Sequence, residues 1–364
     1  MHGKRAHSGW RAGLRAGVAV LCGALLPGCG AGYLLQAARG HTELMSSRVP
    51  LDDAIERHAS LRAQLTQIRA ARDFASRELG LPDNASYRSW ADIGRPFVVW
   101  SVVAVPEFSV QPREWCFPVA GCVSYRGYFD ERAARAFAAR LAREGYDVSV
   151  GGVAAYSTLG RFADPIVSSM LRGTTEDAIS TLFHELAHQV VYVPGDTAFN
   201  EAFAVTVEQA GLARWLERRD AAPDAGDAPD STLLEARRAH LEVQQRFVAA
   251  VVRARADLAA LYARPLAPAP MRIAKQQRLL RLGDELRALE AAAGRRAGFS
   301  RWIELGLNNA QLASVATYWQ CVAGFERELA GVDGDLRRIF QRVRDLARRP
   351  EAERRTLLCA AGPR

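Results

Sequence analysis

Apolar and polar positions along the chain fall into segments of different period. AGYLLQAARGHTELMSS, after residue 30, leads into a three-to-four-residue apolar period from Leu51 to Leu79, which Gly80, Leu81 and Pro82 close. That period predicts one helix with a stop behind it. Between 97 and 129 the texture changes: FVVWSVVAVPEF and CVSYRGYF are rich in β-branched and aromatic residues, with prolines between. These predict strands. Residues 130–144, DERAARAFAARLARE, return to helical spacing, with Asp130 as N-cap and Gly145 beyond the end. YDVSVGGVAAYSTL reads as strand again. Thr174 and Asp177 then form the outline of a capping box, opening a strongly apolar helix that VPGD at 193–196 ends. A second helix begins near Ala198.

Residues 220–231, DAAPDAGDAPDS, hold no large apolar residue and read as a linker. Two long helical patterns follow, about 232–263 and 270–292, broken by ARPLAPAP. They predict a helical hairpin packed on the body. FSRWIELGLNNAQLASVATYW is mixed in texture, and a last helix ends near Arg348. The whole order predicts an α+β fold, mainly helical, with a small sheet and the hairpin as an insertion.

Charge changes this picture little. Half of the net charge of +8 lies in residues 1–28, in Lys4, Arg5, Arg11 and Arg15. The remaining basic residues alternate with acids along helices, the pattern of a solvated surface and not of a nucleic-acid stripe. The N-terminus itself reads as an export signal: the basic KRAHSGWRAGLR precedes GVAVLCGALL, an apolar run too short to span a bilayer. LPGC follows. Leu26, Gly28 and Cys29 fit the pattern of a bacterial lipoprotein signal, from which Pro27 departs. The expectation is a leader over 1–28, a lipid on Cys29 and, with Gly30 next and no aspartate, an outer-membrane anchor facing the periplasm. An oxidising compartment permits a disulfide between Cys116 and Cys122. Sequence alone leaves Cys321 and Cys359 without an assigned pairing, and the oligomeric state open.

The candidate chemistry is in TLFHELAHQVV, residues 181–191. His184 and His188 are four apart, so on a helix both imidazoles point to one side. Two neutral imidazoles at that spacing suit Zn²⁺, and Glu185 between them suits a general base acting on water. Two unpaired imidazoles in so apolar a helix are costly to bury; a metal removes that cost. Twelve residues separate His188 from Glu201, which lies two turns before Glu208 on the second helix.

At Asn200-Glu201 the chain resembles the gluzincin metallopeptidases, whose third zinc ligand is the glutamate of an NE motif. The resemblance implies a zincin-like core over 29–219, Glu201 as ligand, and Glu208 as the acid that orients a histidine. QAARGHTELM, CFPVAGCVSYRGYF, AYSTLGRFADPI, HELAHQVVY, DTAFNEAFA and LNNAQLASVATYW, in that order, are similar to a bacterial family of exported aminopeptidases. It implies a zinc-dependent aminopeptidase acting on peptides, with 232–297 as the hairpin and 298–364 completing the catalytic domain. Gluzincins also use a tyrosine or histidine from a later segment on the oxyanion. Tyr318 is the choice here, with Tyr125 and Tyr156 as rivals. Zincins run an edge strand beside the active-site helix, and 151–160 is the candidate. No motif for binding a free α-amine is present; Glu107, Glu114 and Asp164 are substitutes. Endopeptidase action is the nearest alternative, and a zinc-stabilised binding or assembly protein of the envelope, using the hairpin to hold a partner, is another.

Overall fold

The apolar period from Leu51 to Leu79 folds as two helices, not one. Helix α2 (Leu51–Arg57) stops at His58 and α3 (Arg62–Arg77) starts after a turn in which the Leu61 N–H donates to the His58 carbonyl. The break lets the His58 ring meet Trp90 edge-on, 6.2 Å between centroids. A continuous helix would carry His58 past it. The computed structural model describes residues 31–117, 120–220, 231–294 and 298–359. They divide into two units, one ending at Ser46 and one beginning at Ser47. The first contains α1 (Ala31–Ser46). The leader, Cys29 and residues 221–230 of the linker lie outside the described residues.

The second unit holds three small sheets. β1 (Val49–Pro50) pairs antiparallel with β2 (Ser89–Ala91), which pairs in parallel with β8 (Ile166–Val167). β3 (Val99–Pro106) is the centre of an antiparallel sheet between β6 (Arg126–Tyr128) and β7 (Tyr146–Val153). β4 (Trp115–Phe117) and β5 (Gly121–Val123) make a hairpin joined by the Cys116–Cys122 disulfide. α4 (Glu131–Arg143) is capped by Asp130, whose carboxylate accepts the Ala133 N–H at 2.7 Å. It buries Ala134, Ala138 and Leu141 and packs on β3 and β7.

The rest is helical. α5 (Thr175–Ala187) and α6 (Thr197–Asp220) are antiparallel neighbours, and α3 packs on α5, with Phe74 against Phe183 and Trp215. Residues 201–207 of α6 are all buried. The helix is enclosed because α5 covers one side, and α10 (Asn309–Trp319) and α11 (Val322–Ala330) cover others. An enclosed helix needs no polar face. Phe203 meets Phe325 of α11 and Phe340 of α12 (Leu336–Ala347).

α7 (Ser231–Tyr262) and α8 (Pro268–Ala292) form the long hairpin. Val251, Ala254, Leu258, Leu282 and Leu286 make its core, closed by Phe299 and Ile303 of α9 (Phe299–Glu304) and by Leu312 of α10. Lys275 of α8 reaches across to the sheet, donating to Asp147 at 2.7 Å and to the Glu107 carbonyl at 3.0 Å. The chain does not end its helices near Arg348: α13 (Glu351–Cys359) follows, tied to the start of α11 by a Cys321–Cys359 disulfide. No helix among the described residues is long and apolar enough to cross a membrane.

Candidate metal centre

Helix α5 begins as its sequence requires. The Thr174 hydroxyl accepts the Asp177 N–H at 3.1 Å, and the Asp177 carboxylate accepts the Thr174 N–H at 3.0 Å. Regular helix stops at Ala187, sooner than the expected end at VPGD. Gln189 and Val190 donate their N–H groups to the carbonyls of Leu186 and Ala187, a tighter turn than the helix makes. His188 is the C-cap and keeps helical angles, φ −59° and ψ −22°. Its ring therefore still lies one turn beyond that of His184, and the two Nε2 atoms are 3.2 Å apart.

Helix α6 brings the third group. Glu201 Oε2 is 3.3 Å from His184 Nε2 and 3.8 Å from His188 Nε2. Tetrahedral zinc with bonds of about 2.0–2.1 Å needs ligand atoms about 3.3–3.4 Å apart. The His-His-Glu group is thus close enough to bind a metal, and its two imidazoles and one carboxylate suit that ion. Glu208, two turns further along α6, places Oε2 3.0 Å from His184 Nδ1, while its Oε1 accepts the Ser180 hydroxyl at 2.6 Å. This partner holds a proton on Nδ1 and turns Nε2 toward the cluster. His188 differs: its Nδ1 is buried with no hydrogen-bond partner.

The turn between the helices is pinned from several sides. Asn200, the residue before Glu201, accepts the Val193 N–H and donates to the Val193 carbonyl, each at 2.8 Å. Asp196 accepts the Phe199 N–H, capping α6, and is held by the Arg354 guanidinium at 2.6 and 2.9 Å. Both partners of that ion pair are buried. From the opposite side comes the tip of the disulfide hairpin: the Gly195 N–H donates to the Ala120 carbonyl. A side chain on Gly121 would put Cβ 2.5 Å from the Gly195 nitrogen, and its φ of +73° disfavours one as well. Ser180, Asp196 and Arg354 are functional neighbours that sequence reasoning missed. An aspartate three residues before Phe199 is a readable capping signal; Arg354, 158 residues from its partner, leaves none.

Electrostatics follow from this crowding of acids and imidazoles. Burial lowers the His184 pKa, but hydrogen bonds to Glu201 and Glu208 outweigh it and hold the ring well above the usual histidine range. Burial raises Glu201, yet the His184 hydrogen bond and both histidine charges keep it below the ordinary carboxylate value. Burial pushes His188 down to about 4. For Glu185, burial and the nearby carboxylates outweigh the pull of His184 and lift it to about 7. Glu201 and Glu208, one on each ring nitrogen of His184, thus favour positive charge at this point.

Tyr318, on the last turn of α10, has its ring 6.5 Å from that of His184. The Glu201 charge raises its hydroxyl well above the usual range although the residue is 37% exposed, so it stays a donor. Tyr125 packs against Ala310 and Ala313 and lines a cavity with Tyr318. Tyr156 points its ring at Phe129, and its carbonyl accepts from Tyr87. Tyr192, absent from the expectations, meets His188 edge-on at 6.3 Å and donates to the Ala120 carbonyl.

The segment 151–160 is strand only through Val153, and the chief neighbours of β7 are β3, α4 and α10. Beyond it, residues 154–164 form a loop because Asp164 gathers it: its carboxylate accepts the Thr158 N–H at 2.8 Å and the Thr158 hydroxyl at 2.9 Å. Gly160 of that loop lies against Gln189, so a loop and not a strand abuts the end of the HELAH segment. Of the three amine-binding substitutes, Asp164 is buried in this loop, with burial lifting its pKa to about 6. Glu107 pairs with Arg272 on the hairpin side, and Glu114 lines a cleft with Thr317.

No curated relative and no solved structure matches the chain. The profile of the family described as "Putative aminopeptidase" matches residues 32–358, nearly all of the chain and every element that builds the cluster, and the protein belongs to that family.

Proposed function

We propose that the protein is a zinc-dependent aminopeptidase. The observation that carries this reading is the convergence of His184, His188 and Glu201 on one point at zinc spacing, with Glu185 beside it and outside the ligand group. Membership of the family supports peptidase action in general. Zn²⁺ held by these three residues supplies Lewis acidity, polarising the scissile carbonyl and acidifying water. The chain's own groups do the rest. Glu185 accepts the proton of the attacking water on its carboxylate and returns it to the leaving amine. Tyr318 donates its hydroxyl hydrogen to the oxygen that gains charge. Glu208 and Ser180 hold His184 in the tautomer that presents Nε2.

The two disulfides, Cys116–Cys122 and Cys321–Cys359, support export to an oxidising compartment. With the leader and Cys29, this reading places the enzyme in the periplasm on a lipid anchor. Cys29→Ser is expected to release it from the membrane fraction or to leave the leader uncleaved; unchanged mass and fractionation would remove the anchor from the proposal.

Glu185→Gln tests the mechanism. Glutamine is nearly isosteric, so zinc content, measured by elemental analysis, should stay near one per chain. Hydrolysis of aminoacyl reporters should fall by at least about 10²-fold, the lower range for a general base. Full activity in Glu185→Gln removes Glu185 as base, and a wild type without stoichiometric zinc sinks the metallopeptidase reading.

A further inference from the structure

A cleft leads away from Tyr318. Ser124, Tyr125, Thr317 and Tyr318 help line a cavity of about 180 Å³ on the face of the β3–β7 sheet. Ser124 and Thr317 also line a second cavity, of about 580 Å³, beside the VPGD turn. The second shares Gln111, Arg255, Ala316 and Gln320 with a third, of about 820 Å³, walled by α7 and α11. One helix, α10, thus carries both the tyrosine beside His184 and residues that line all three cavities.

Arg255 stands where the second and third cavities join. Its Nε and Nη2 both donate to the Val110 carbonyl, at 3.3 and 3.0 Å, which fixes the guanidinium in place. Neighbouring arginines of the hairpin have carboxylate partners: Arg253 pairs with Glu285, and Arg278 with Asp257. Among the described residues Arg255 has no such pair. The charge acting on it is a second cation, Arg355 of α13, and burial followed by this repulsion lowers its pKa. Arg355 lines the same second cavity, its side chain more than half exposed, and among the described residues it pairs along its own helix with Glu351, which lines that cavity too. Glu242 and Glu326 line the third cavity and Glu114 and Glu351 the second, yet among the described residues none forms an ion pair with Arg255, whose planar fork matches a carboxylate best.

We propose that this cleft holds the leaving portion of a short peptide substrate and that Arg255 and Arg355 bind its C-terminal carboxylate. The inference rests on the aminopeptidase reading for its direction. An enzyme that removes one residue from the amino end has only that residue on one side of the scissile bond, so the cavities that begin at Tyr318 take the other side. Val248, Val252 and Val322 give the third cavity an apolar wall for the last side chain.

The test compares Leu-Ala-Ala-Ala with its C-terminal amide, titrated by calorimetry into zinc-loaded Glu185→Gln protein, which retains the cleft and does not consume the peptide. The free acid is expected to bind at least about tenfold more tightly, the value of one charge-assisted hydrogen-bonded contact. Adding Arg255→Met should bring the two affinities within about twofold. Arg355→Gln, at the surface where folding is not at stake, should remove part of the preference. Equal affinities for acid and amide in the Glu185→Gln protein overturn the proposal, and so does a preference that survives both arginine substitutions. Turnover of leucine p-nitroanilide, which has no carboxylate, by the enzyme with Glu185 intact separates the two readings. If it is absent altogether the aminopeptidase reading fails, while the acid–amide comparison still decides the anion site.

Discussion

The metal helices and the long hairpin are both antiparallel helix pairs, yet they are held by different means. Between α5 and α6 the turn is crossed by directed polar bonds: Asn200 to Val193, Asp196 to Phe199 and Arg354, Glu208 to His184 and Ser180. Between α7 and α8 the buried contact is a row of leucines, valines and alanines, with Phe247 of α7 stacked on Phe299 of α9 at 4.6 Å, and the ion pairs Arg253–Glu285 and Arg278–Asp257 lie at its exposed edges. Its polar link to the sheet is mainly Lys275 with Asp147. Apolar packing fixes where an element lies, because burial is non-directional. Placing three ligand atoms within half an ångström or so requires bonds with preferred angles as well. The difference suggests that the hairpin is a wall and the α5–α6 turn a template.

Breaking one buried ion pair in each region tests that contrast. Arg354→Met strands the Asp196 carboxylate in the interior, and removing one partner of a buried pair costs about 3–5 kcal/mol. Denaturant titration should show that loss, and zinc affinity should fall with it, because Asp196 caps the helix that carries Glu201. Lys275→Met is expected to cost less, about 1.5–3 kcal/mol for a hydrogen bond to a charged group. Asp147 keeps the Asn309 N–H at 2.8 Å, which limits the damage. Here zinc affinity should not change. If both substitutions weaken zinc equally, the hairpin is part of the template and the contrast is wrong.

A smaller change sharpens it. Asn200→Ala removes both bonds to Val193, about 1–3 kcal/mol where the partners stay buried. It leaves all three candidate ligands in place. Zinc affinity measured by competition with a chelator should still fall several-fold, since the turn that sets the Glu201 carboxylate is loosened. Unaltered affinity would show that enclosure of α6 by its neighbours is enough to place Glu201.

The same contrast explains what could be read from the residues. The i, i+4 spacing of His184 and His188, the seven-residue step from Glu201 to Glu208, and the Thr174 cap are local facts, and helix geometry turns them into positions. The hairpin was legible for the same reason. Its two apolar periods and the proline-rich break are local too. Asp196 with Arg354, Cys321 with Cys359, and Lys275 with Asp147 are pairings across 158, 38 and 128 residues, and they leave no period in the chain. Segment 154–164 misled because YDVSVGGV and its continuation share a β-like texture. Thr158 and Asp164 instead satisfy each other, which closes a loop. The break at His58 was invisible because apolar spacing continues through it.

The least disruptive test counts protons. Without metal, His184 is held well above its usual pKa by its carboxylate partners, although burial opposes this. His188 is pushed down to about 4 by burial, and Glu201 is held below the carboxylate range. At pH 8, then, His188 is neutral, Glu201 is ionised and Glu185, near 7, has already lost most of its proton, while His184 is the group whose carboxylate partners favour its protonated form. Zinc needs the His184 Nε2 lone pair, so its binding must expel one proton, as metal binding to protonated ligands does. Calorimetric titration of zinc into metal-free protein in buffers of different ionisation enthalpy should give a release of about one proton per ion at pH 8. Lowering the pH to 7 should raise the count, because Glu185 is then partly protonated and a nearby cation drives that proton off as well. Glu185→Gln should abolish the rise at pH 7 and leave the value at pH 8. Zero release at pH 8 would mean that His184 is neutral between Glu201 and Glu208, and that the template is poised for metal without a proton standing in for it.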